Sequence, residues 1–401
     1  MPILVKPTLA CNFKCDYCYE EPVRKTGIPG FSIQKVKAAI ARESAKRPGV
    51  KIILHGGEIT TLPRHELQEL FEMCYAIQGS TSIMTNGYEI DDGLIEMFKQ
   101  YKCGIGVSMD GPWPINSLRG RGTLEERKAQ HEQVMNNIKR MRDADLPVSI
   151  ISVISKNHMS SEAIKQYTKW LYEMKDLGIV SGRMNLVEGM RDFTDEEAAE
   201  FYTAMADVVL ADPRLMWKPF RDYTDILLGL GTGSCSTSRC NYYCTQSAFV
   251  IHGDGSISNC LRSASKGDIN PREEVENIRP SILAMVSQEH GGCKGCKYLT
   301  VCNGLCPGEG LGNEWKNRSE FCGVFKPLWE HIENKLRGLI PNIQLVIDIK
   351  EDTFDKRQSG SLGDYPFQKM LPQYSKEPST WKQSCEKVPS GWEYVGKEPL
   401  S

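Results

Sequence analysis

The first half of the chain alternates short apolar runs with stretches of helical periodicity, and this alternation limits the possible folds more than any other feature. Six apolar runs predict strands at residues 3–6, 50–54, 81–84, 104–108, 148–154 and 180–186. Five stretches between them have helical apolar spacing, the first after the capping residue Ser32. Such alternation favours a parallel sheet with right-handed crossovers. We therefore expect an α/β domain, either an open sheet or a partial (β/α)6 barrel.

Unusual polar residues follow each of these predicted strands. They are a group of three cysteines, Gly56-Gly57-Glu58, Thr85-Asn86-Gly87, Ser108-Met109-Asp110-Gly111, Asn157 and Glu188, in strand order. The carboxyl ends of parallel strands share one edge of the sheet, where active sites of such folds lie. The sequence therefore predicts one functional site at that edge.

Charge and hydropathy disfavour several classes of partner. Lysine and arginine total 49 and aspartate and glutamate 51, so the formal charge of −2 does not favour a polynucleotide partner. No apolar run reaches the roughly 18 residues of a membrane span, and residues 1–10 lack a cleavable secretion signal. We expect a cytoplasmic protein that binds neither nucleic acid nor a membrane.

The fifteen cysteines are distributed unevenly along the chain. One group is Cys11, Cys15 and Cys18, and nine cysteines lie between Cys235 and Cys322. The solitary ones, which we expect to be buried or tail residues rather than ligands, are Cys74, Cys103 and Cys385. Thiols stay reduced in the cytosol, so clusters of them indicate metal ligands rather than disulfides.

The first group places three thiols within eight residues, directly after a predicted strand. A four-iron cluster can accept three thiolates and keep one iron open, whereas structural zinc normally has four closed ligands. The number of thiols therefore favours a [4Fe–4S] cluster. Two alternatives stay open: a zinc loop completed by a distant His or Cys, and an electron-transfer ferredoxin, which normally has a different spacing.

With Tyr17 before the third cysteine, this group resembles the Cys-x-x-x-Cys-x-aromatic-Cys signature of the radical S-adenosylmethionine (SAM) superfamily. The resemblance covers roughly residues 1–190 and implies a partial barrel. It also implies that the open iron binds SAM, which a reduced cluster cleaves to methionine and a 5′-deoxyadenosyl radical. The implied cofactor-binding residues are Tyr17, Gly56, Gly57, Glu58 for the methionine ammonium, Ser108 for the ribose and Arg119 for the carboxylate, with Arg121 as a competitor for that last role.

The second cysteine group has the pattern Cys293-x2-Cys296-x5-Cys302-x3-Cys306, with Cys322 after it and Cys244 and Cys260 before it. Taken alone, the pairs are also compatible with a zinc ribbon. The whole pattern resembles the SPASM extension of radical SAM enzymes, which implies two auxiliary clusters and three [4Fe–4S] clusters in all. The implied outer ligands are Cys293, Cys296, Cys302 and Cys322, and the inner ones are Cys306, Cys260, Cys244 and either Cys240, which we favour, or Cys235.

These patterns divide the chain into four parts. They are a radical SAM partial barrel at 1–190, a helical bridge at 191–233, a SPASM domain with the auxiliary clusters at 234–330, and a C-terminal helix with an irregular tail at 331–401. The tail is rich in Pro, Ser, Lys, Gly and aromatic residues and has little periodicity.

The resemblance implies hydrogen abstraction from a ribosomally made peptide, leading to crosslinking, excision or oxidation of a residue. One alternative is a sulfatase-maturase-like enzyme that generates formylglycine, which is disfavoured because Leu261 stands where that branch has a catalytic Asp. Another is an iron–sulfur electron-transfer protein. Since ten residues precede Cys11, we expect a separate small leader-recognition protein, together with an external one-electron reductant.

Overall fold

The computed structural model describes residues 2–25, 30–231, 237, 240, 249–258, 260 and 277–349. Its strands are β1 (Ile3–Lys6), β2 (Ile52–Leu54), β3 (Thr81–Thr85), β4 (Cys103–Ser108), β5 (Val148–Ile154), β6 (Ser181–Leu186), β7 (Met216–Lys218), β8 (Phe249–His252) and β9 (Ile257–Ser258). Its helices are α1 (Glu21–Lys25), α2 (Ile33–Ala45), α3 (Arg64–Gln78), α4 (Asp92–Gln100), α5 (Leu124–Asp143), α6 (Ser161–Asp176), α7 (Asp195–Ala211), α8 (Phe220–Leu227), α9 (Arg279–Met285), α10 (Leu299–Cys302) and α11 (Cys322–Leu339).

Within the described residues the strands form one sheet in the order β7-β6-β5-β4-β3-β2-β1-β8-β9. Strands β1 to β7 each pair in parallel with their neighbours in sequence. Right-handed crossovers that always step in the same direction place their helices on one face, as in a barrel, rather than on both faces of a doubly wound sheet. The prediction of a partial α/β barrel is confirmed.

Three strands extend this sheet beyond the six that we predicted. Strand β7 pairs with β6, and β8 pairs in parallel with β1, although β8 follows the barrel in sequence. Strand β9 then pairs with β8 in the antiparallel direction. The strand after the barrel therefore lies directly beside the strand that leads into the first cysteine group.

Local sequence signals explain where the long helices begin. Ser32 and Asp91 cap α2 and α4, and Thr123 forms a capping box with Glu126 at the start of α5. The apolar faces of these helices cover strands whose residues are buried on both sides, as in β4. None of the helices in the described residues has the length and apolarity that crossing a membrane requires.

Helix α11 joins the second cysteine group to the barrel. The sequence pattern places the C-terminal helix after residue 330, but α11 already begins at Cys322. It packs on α7 and α8, where the rings of Tyr223 and Trp329 stack with centroids 3.8 Å apart. The prediction missed the first turns of the helix because they contain Cys322 and Pro327, and a proline normally argues against a helix interior.

Candidate functional site

The loop that carries the first cysteine group follows β1 and rests on the loop after β4. The backbone N–H of Lys14 donates to the carbonyl of Gly120, and that of Asp16 donates to Leu118, both at 3.0 Å. Cys11, Cys15 and Cys18 are free thiols of intermediate exposure. The barrel therefore holds this loop from two sides and leaves its thiols accessible to a cofactor.

Cationic and N–H groups lie next to these thiols. The guanidinium of Arg24 in α1 donates to the Sγ atom of Cys18 at 2.7 Å, and the N–H of Phe13 donates to Cys11 Sγ at 3.4 Å. Burial raises the pKa of Cys11 and of Cys15, so these thiols stay protonated unless a cation offsets the thiolate charge. Three such thiols fit the ligand set of a [4Fe–4S] cluster.

Gly56 and Gly57 allow the loop after β2 to press against the backbone that leads into the cysteine group. A Cβ atom at Gly57 would lie 2.2 Å from the carbonyl oxygen of Ala10, and one at Gly56 would lie 2.5 Å from that of Thr8. The N–H of Gly57 donates to Thr8 at 2.8 Å. Both glycines are required by this backbone contact, whatever further contact they make with a cofactor.

The carboxylate of Glu58 is buried, with 1% of the residue exposed, and accepts hydrogen bonds from inside the protein. Its Oε1 accepts from the hydroxyl of Thr85 at 2.7 Å and from the N–H and hydroxyl of Thr60. Its Oε2 accepts from the N–H of Asn86 at 2.5 Å. Burial raises the pKa of Glu58 although these bonds oppose that rise. Glu58 therefore joins the ends of β2 and β3, and its predicted contact with the methionine ammonium stays a prediction.

Tyr17, Asp110 and Arg119 form a largely buried cluster beside Cys15. The Tyr17 hydroxyl donates to Asp110, and the Arg119 guanidinium donates to Tyr17 Oη at 2.7 Å and lies 3.6 Å from Asp110 Oδ1. Burial alone disfavours the charge of Arg119, but Tyr17, Cys15 and Asp110 raise its pKa. Hydrogen bonds with Asp110 and Arg119 therefore fix the position of Tyr17, the aromatic residue of the motif.

The two candidate arginines differ in where they lie. Arg119 is largely buried beside Cys15 and Tyr17, whereas Arg121 is exposed. Ser108 ends β4 at the same edge of the sheet. Geometry therefore favours Arg119 over Arg121 as the residue near a bound cofactor, although its guanidinium already has partners within the protein.

Sequence reasoning missed a buried ion pair inside the barrel. The ammonium of Lys6, at the end of β1, donates to the carboxylate of Glu20, and both side chains are almost fully buried. Burial, and to a smaller extent the charge of Lys6, lowers the pKa of nearby His55 to about 4. A lysine at the end of a buried strand was the available signal, because such a charge needs a partner.

The structure brings the predicted outer ligands of the second group close together. Burial raises the pKa of Cys293 to about 12 and also raises those of Cys302 and Cys322, and neighbouring thiols of the same set add to each shift. Cys293, Cys296, Cys302 and Cys322 are free thiols. Several residues in the second half of the chain lie outside the described residues: Cys235, Cys244, Leu261, Arg262 and the tail residues with Cys385.

The two solitary thiols within the described residues are buried in the barrel core. Cys74 in α3 and Cys103 in β4 have no exposed surface, and burial raises the pKa of each to about 12. In the part of the chain that the structure describes, no three His, Cys, Asp or Glu side chains converge on a point suited to a single metal ion.

Comparison with known families identifies the barrel. Residues 5–171 match the model of the Radical SAM superfamily. Residues 5–171 of this chain are a radical SAM domain. The superfamily prediction from the cysteine motif is confirmed, and the matched range contains Cys11, Cys15, Cys18, Gly56-Gly57-Glu58 and the cluster around Tyr17.

Two curated relatives match this chain over most of its length. The cysteine-type anaerobic sulfatase-maturating enzyme of Clostridium novyi (strain NT) is 24% identical over 369 residues, covering 84% of this chain and 96% of the relative. The serine-type anaerobic sulfatase-maturating enzyme of Klebsiella aerogenes is 23% identical over 376 residues, covering 84% and 86%.

Solved structures share the fold. Native anSMEcpe with bound AdoMet and the Kp18Cys peptide superposes with a TM-score of 0.68 at 21% identity, covering 86% of this chain and 100% of that one. A second neighbour, Streptococcus suis SuiB, has a TM-score of 0.50 at 14% identity and covers 67% of this chain and 61% of that one. The likeness to anSMEcpe extends beyond the barrel into the second cysteine region.

Proposed function

We propose that this protein is a radical SAM enzyme that oxidises a residue of a peptide or protein substrate, in the manner of its sulfatase-maturating relatives. The observation that carries the proposal is the edge of the barrel where Cys11, Cys15 and Cys18 meet the loops after β2 and β4. The near full-length match to sulfatase-maturating enzymes supports the formylglycine-type oxidation that we disfavoured from the sequence, rather than crosslinking or excision.

Cys11, Cys15 and Cys18 would hold the radical-generating [4Fe–4S] cluster. When bound, such a cluster supplies the electron that cleaves SAM to methionine and a 5′-deoxyadenosyl radical. Around it, Tyr17 and Arg119 fix the loop, and the glycines of the loop after β2 keep its backbone close to residues 8–10. Glu58, Ser108 and Arg119 are the side chains that we propose bind SAM.

The net reaction on the substrate residue removes two electrons and two protons. One hydrogen atom leaves the β-carbon of a Cys or Ser for the radical, and one proton and one electron then leave to form the thioaldehyde or aldehyde. Cys293, Cys296, Cys302 and Cys322, with the thiols of the inner set, form the donor set that suits an iron–sulfur electron acceptor. This is the reason for proposing SPASM-type auxiliary clusters.

The proposal is tested with anaerobically reconstituted protein, dithionite, SAM and peptides that carry a central Cys or Ser. We expect a peptide of lower mass with an aldehyde that reacts with a hydrazine, and deuterium transfer from a β-deuterated residue into 5′-deoxyadenosine. A peptide with Ala at that position is the matched control. Crosslinked or shortened peptides without an aldehyde would support the alternative peptide modifications. SAM cleavage without any peptide change would contradict both.

A further inference from the structure

Arg279, at the start of α9, is buried within the second cysteine group, with 3% of the residue exposed. All five of its N–H groups donate to backbone carbonyls at distances of 2.8 to 3.0 Å. The accepting residues are Asn303, Gly304, Leu305, Trp315 and Asn317. Every hydrogen-bond donor of the Arg279 guanidinium therefore has a partner, and these bonds fix its orientation.

Three of these carbonyls belong to the turn between Cys302 and Cys306. Asn303, Gly304 and Leu305 have φ angles of 52°, 70° and 58°, so three successive residues are left-handed. That conformation is unfavourable for Asn and especially for Leu, at about 1–3 kcal/mol each. Arg279 binds all three of the carbonyls that this turn directs to one side. The guanidinium thus holds the turn that sets the spacing of two predicted ligands.

The charge of Arg279 lacks the usual compensation. In the part of the chain that the structure describes, no carboxylate lies within salt-bridge distance of it, and its hydrogen-bond partners are neutral carbonyls. A buried cation without a counter-charge is costly. The titratable groups nearest to it are the thiols of Cys306, Cys293, Cys302 and Cys240, which would each carry a negative charge as thiolates. The arrangement therefore calls for a negative group at those thiols, and a thiolate-ligated iron–sulfur cluster is one.

We propose that Arg279 is a positioning residue whose fixed positive charge enables the second cysteine group to hold an iron–sulfur cluster and raises that cluster's reduction potential. A nearby positive charge stabilises the reduced cluster, which is the more negative form. The inference rests on the proposed function, because it requires a cluster at these thiols.

The test uses the full-length protein with Cys11, Cys15 and Cys18 all replaced by Ala, so that iron binds at the second group. Iron and sulfide content come first, followed by midpoint potentials from redox titration with electron paramagnetic resonance. If this background binds no iron and sulfide while Arg279 is intact, the auxiliary clusters of the proposed function fail before Arg279 is tested. Arg337→Gln is the matched control, because Arg337 in α11 is partly exposed and pairs with the carboxylates of Glu333 and Asp348.

We expect Arg279→Gln to lower the reduction potential of the bound cluster. In Arg279→Lys, which keeps the charge, the potential should stay near the value measured for the Arg337→Gln control. If Arg279→Gln binds no cluster but Arg279→Lys binds iron and sulfide, the result also supports the inference, because only the Lys variant keeps the positive charge. The inference is overturned if Arg279→Gln carries a cluster of unchanged potential. It is also overturned if the Gln and Lys variants lose iron equally, because a lost hydrogen-bond frame alone then explains the result.

Discussion

The two cysteine groups are supported in opposite ways. The loop of Cys11 to Cys18 lies at the edge of a parallel sheet with a large apolar core, and Arg24 contacts the thiol of Cys18 directly. The second group lies among short helices and turns, and Arg279 contacts the backbone between thiols instead. The comparison shows that the barrel core holds the conformation of the first loop. A cysteine-rich segment among short elements depends instead on its own polar contacts and on bound metal.

Removing the first group should have the largest effect on activity and the smallest on folding. With Cys11, Cys15 and Cys18 all replaced by Ala, we expect SAM cleavage to fall to background and the iron content to fall by about a third. The melting temperature should stay close to that of the unaltered apoprotein, because the barrel core is unchanged. Liquid chromatography of 5′-deoxyadenosine, iron analysis and thermal melts measure the three quantities. Retained cleavage would show that these thiols do not hold the radical cluster.

Removing metal should affect the two regions differently. In the apoprotein we expect amide hydrogen exchange between α9 and the start of α11 to be at least about tenfold faster than in the reconstituted protein. Exchange in β3, β4 and β5 should change little, because their hydrogen bonds lie inside the sheet. Mass spectrometry of peptic fragments compares the regions in one sample. Equal acceleration in both would show that the barrel also depends on its metal.

The Tyr17 cluster should make the first loop sensitive to one buried charge. Asp110→Asn leaves Arg119 buried without its carboxylate, and we expect the free energy of unfolding to fall by about 3 kcal/mol. Asp16→Asn is the matched control, since Asp16 lies on the same loop and pairs with Arg127 of α5, but the Asp16 side chain is 39% exposed. We expect that change to cost less than about 1 kcal/mol. Equal losses in urea unfolding would mean that burial does not set the strength of these pairs.

The smallest expected effect concerns Glu333, which ties α11 to the second group. Burial tends to raise its pKa, but hydrogen bonds from Tyr298, Lys297 and Arg337 outweigh it and lower the pKa overall. The stabilisation is therefore present above the unfolded pKa of about 4.3 and is lost as the pH falls through the lower folded value. Glu333→Gln should cost about 1 kcal/mol at pH 7 and less at pH 3. A cost that does not depend on pH in urea titrations would contradict the charge-based explanation.

Much of the barrel followed from local patterns. The six predicted strands and the cap Ser32 appear where apolar periodicity and a polar capping residue indicated them. Strand β7 has three residues and ends in a lysine, so its pattern is too short to detect. Strand β8 was missed as a partner of β1 because pairing between distant segments leaves no local signal.

For the candidate site, too, local features followed from the sequence and contacts between distant segments did not. Sequence alone determined the cysteine spacing, the aromatic residue before Cys18 and the edge of the sheet at which they lie, because these depend on neighbouring residues and on the rule that parallel strands end together. Only the tertiary structure decided that Arg119 rather than Arg121 is buried beside Tyr17, that Glu20 neutralises Lys6, and that Arg279 binds the turn after Cys302. The physical reason is that the partner of a buried charge is chosen by the packing of distant segments, and no local pattern records that choice.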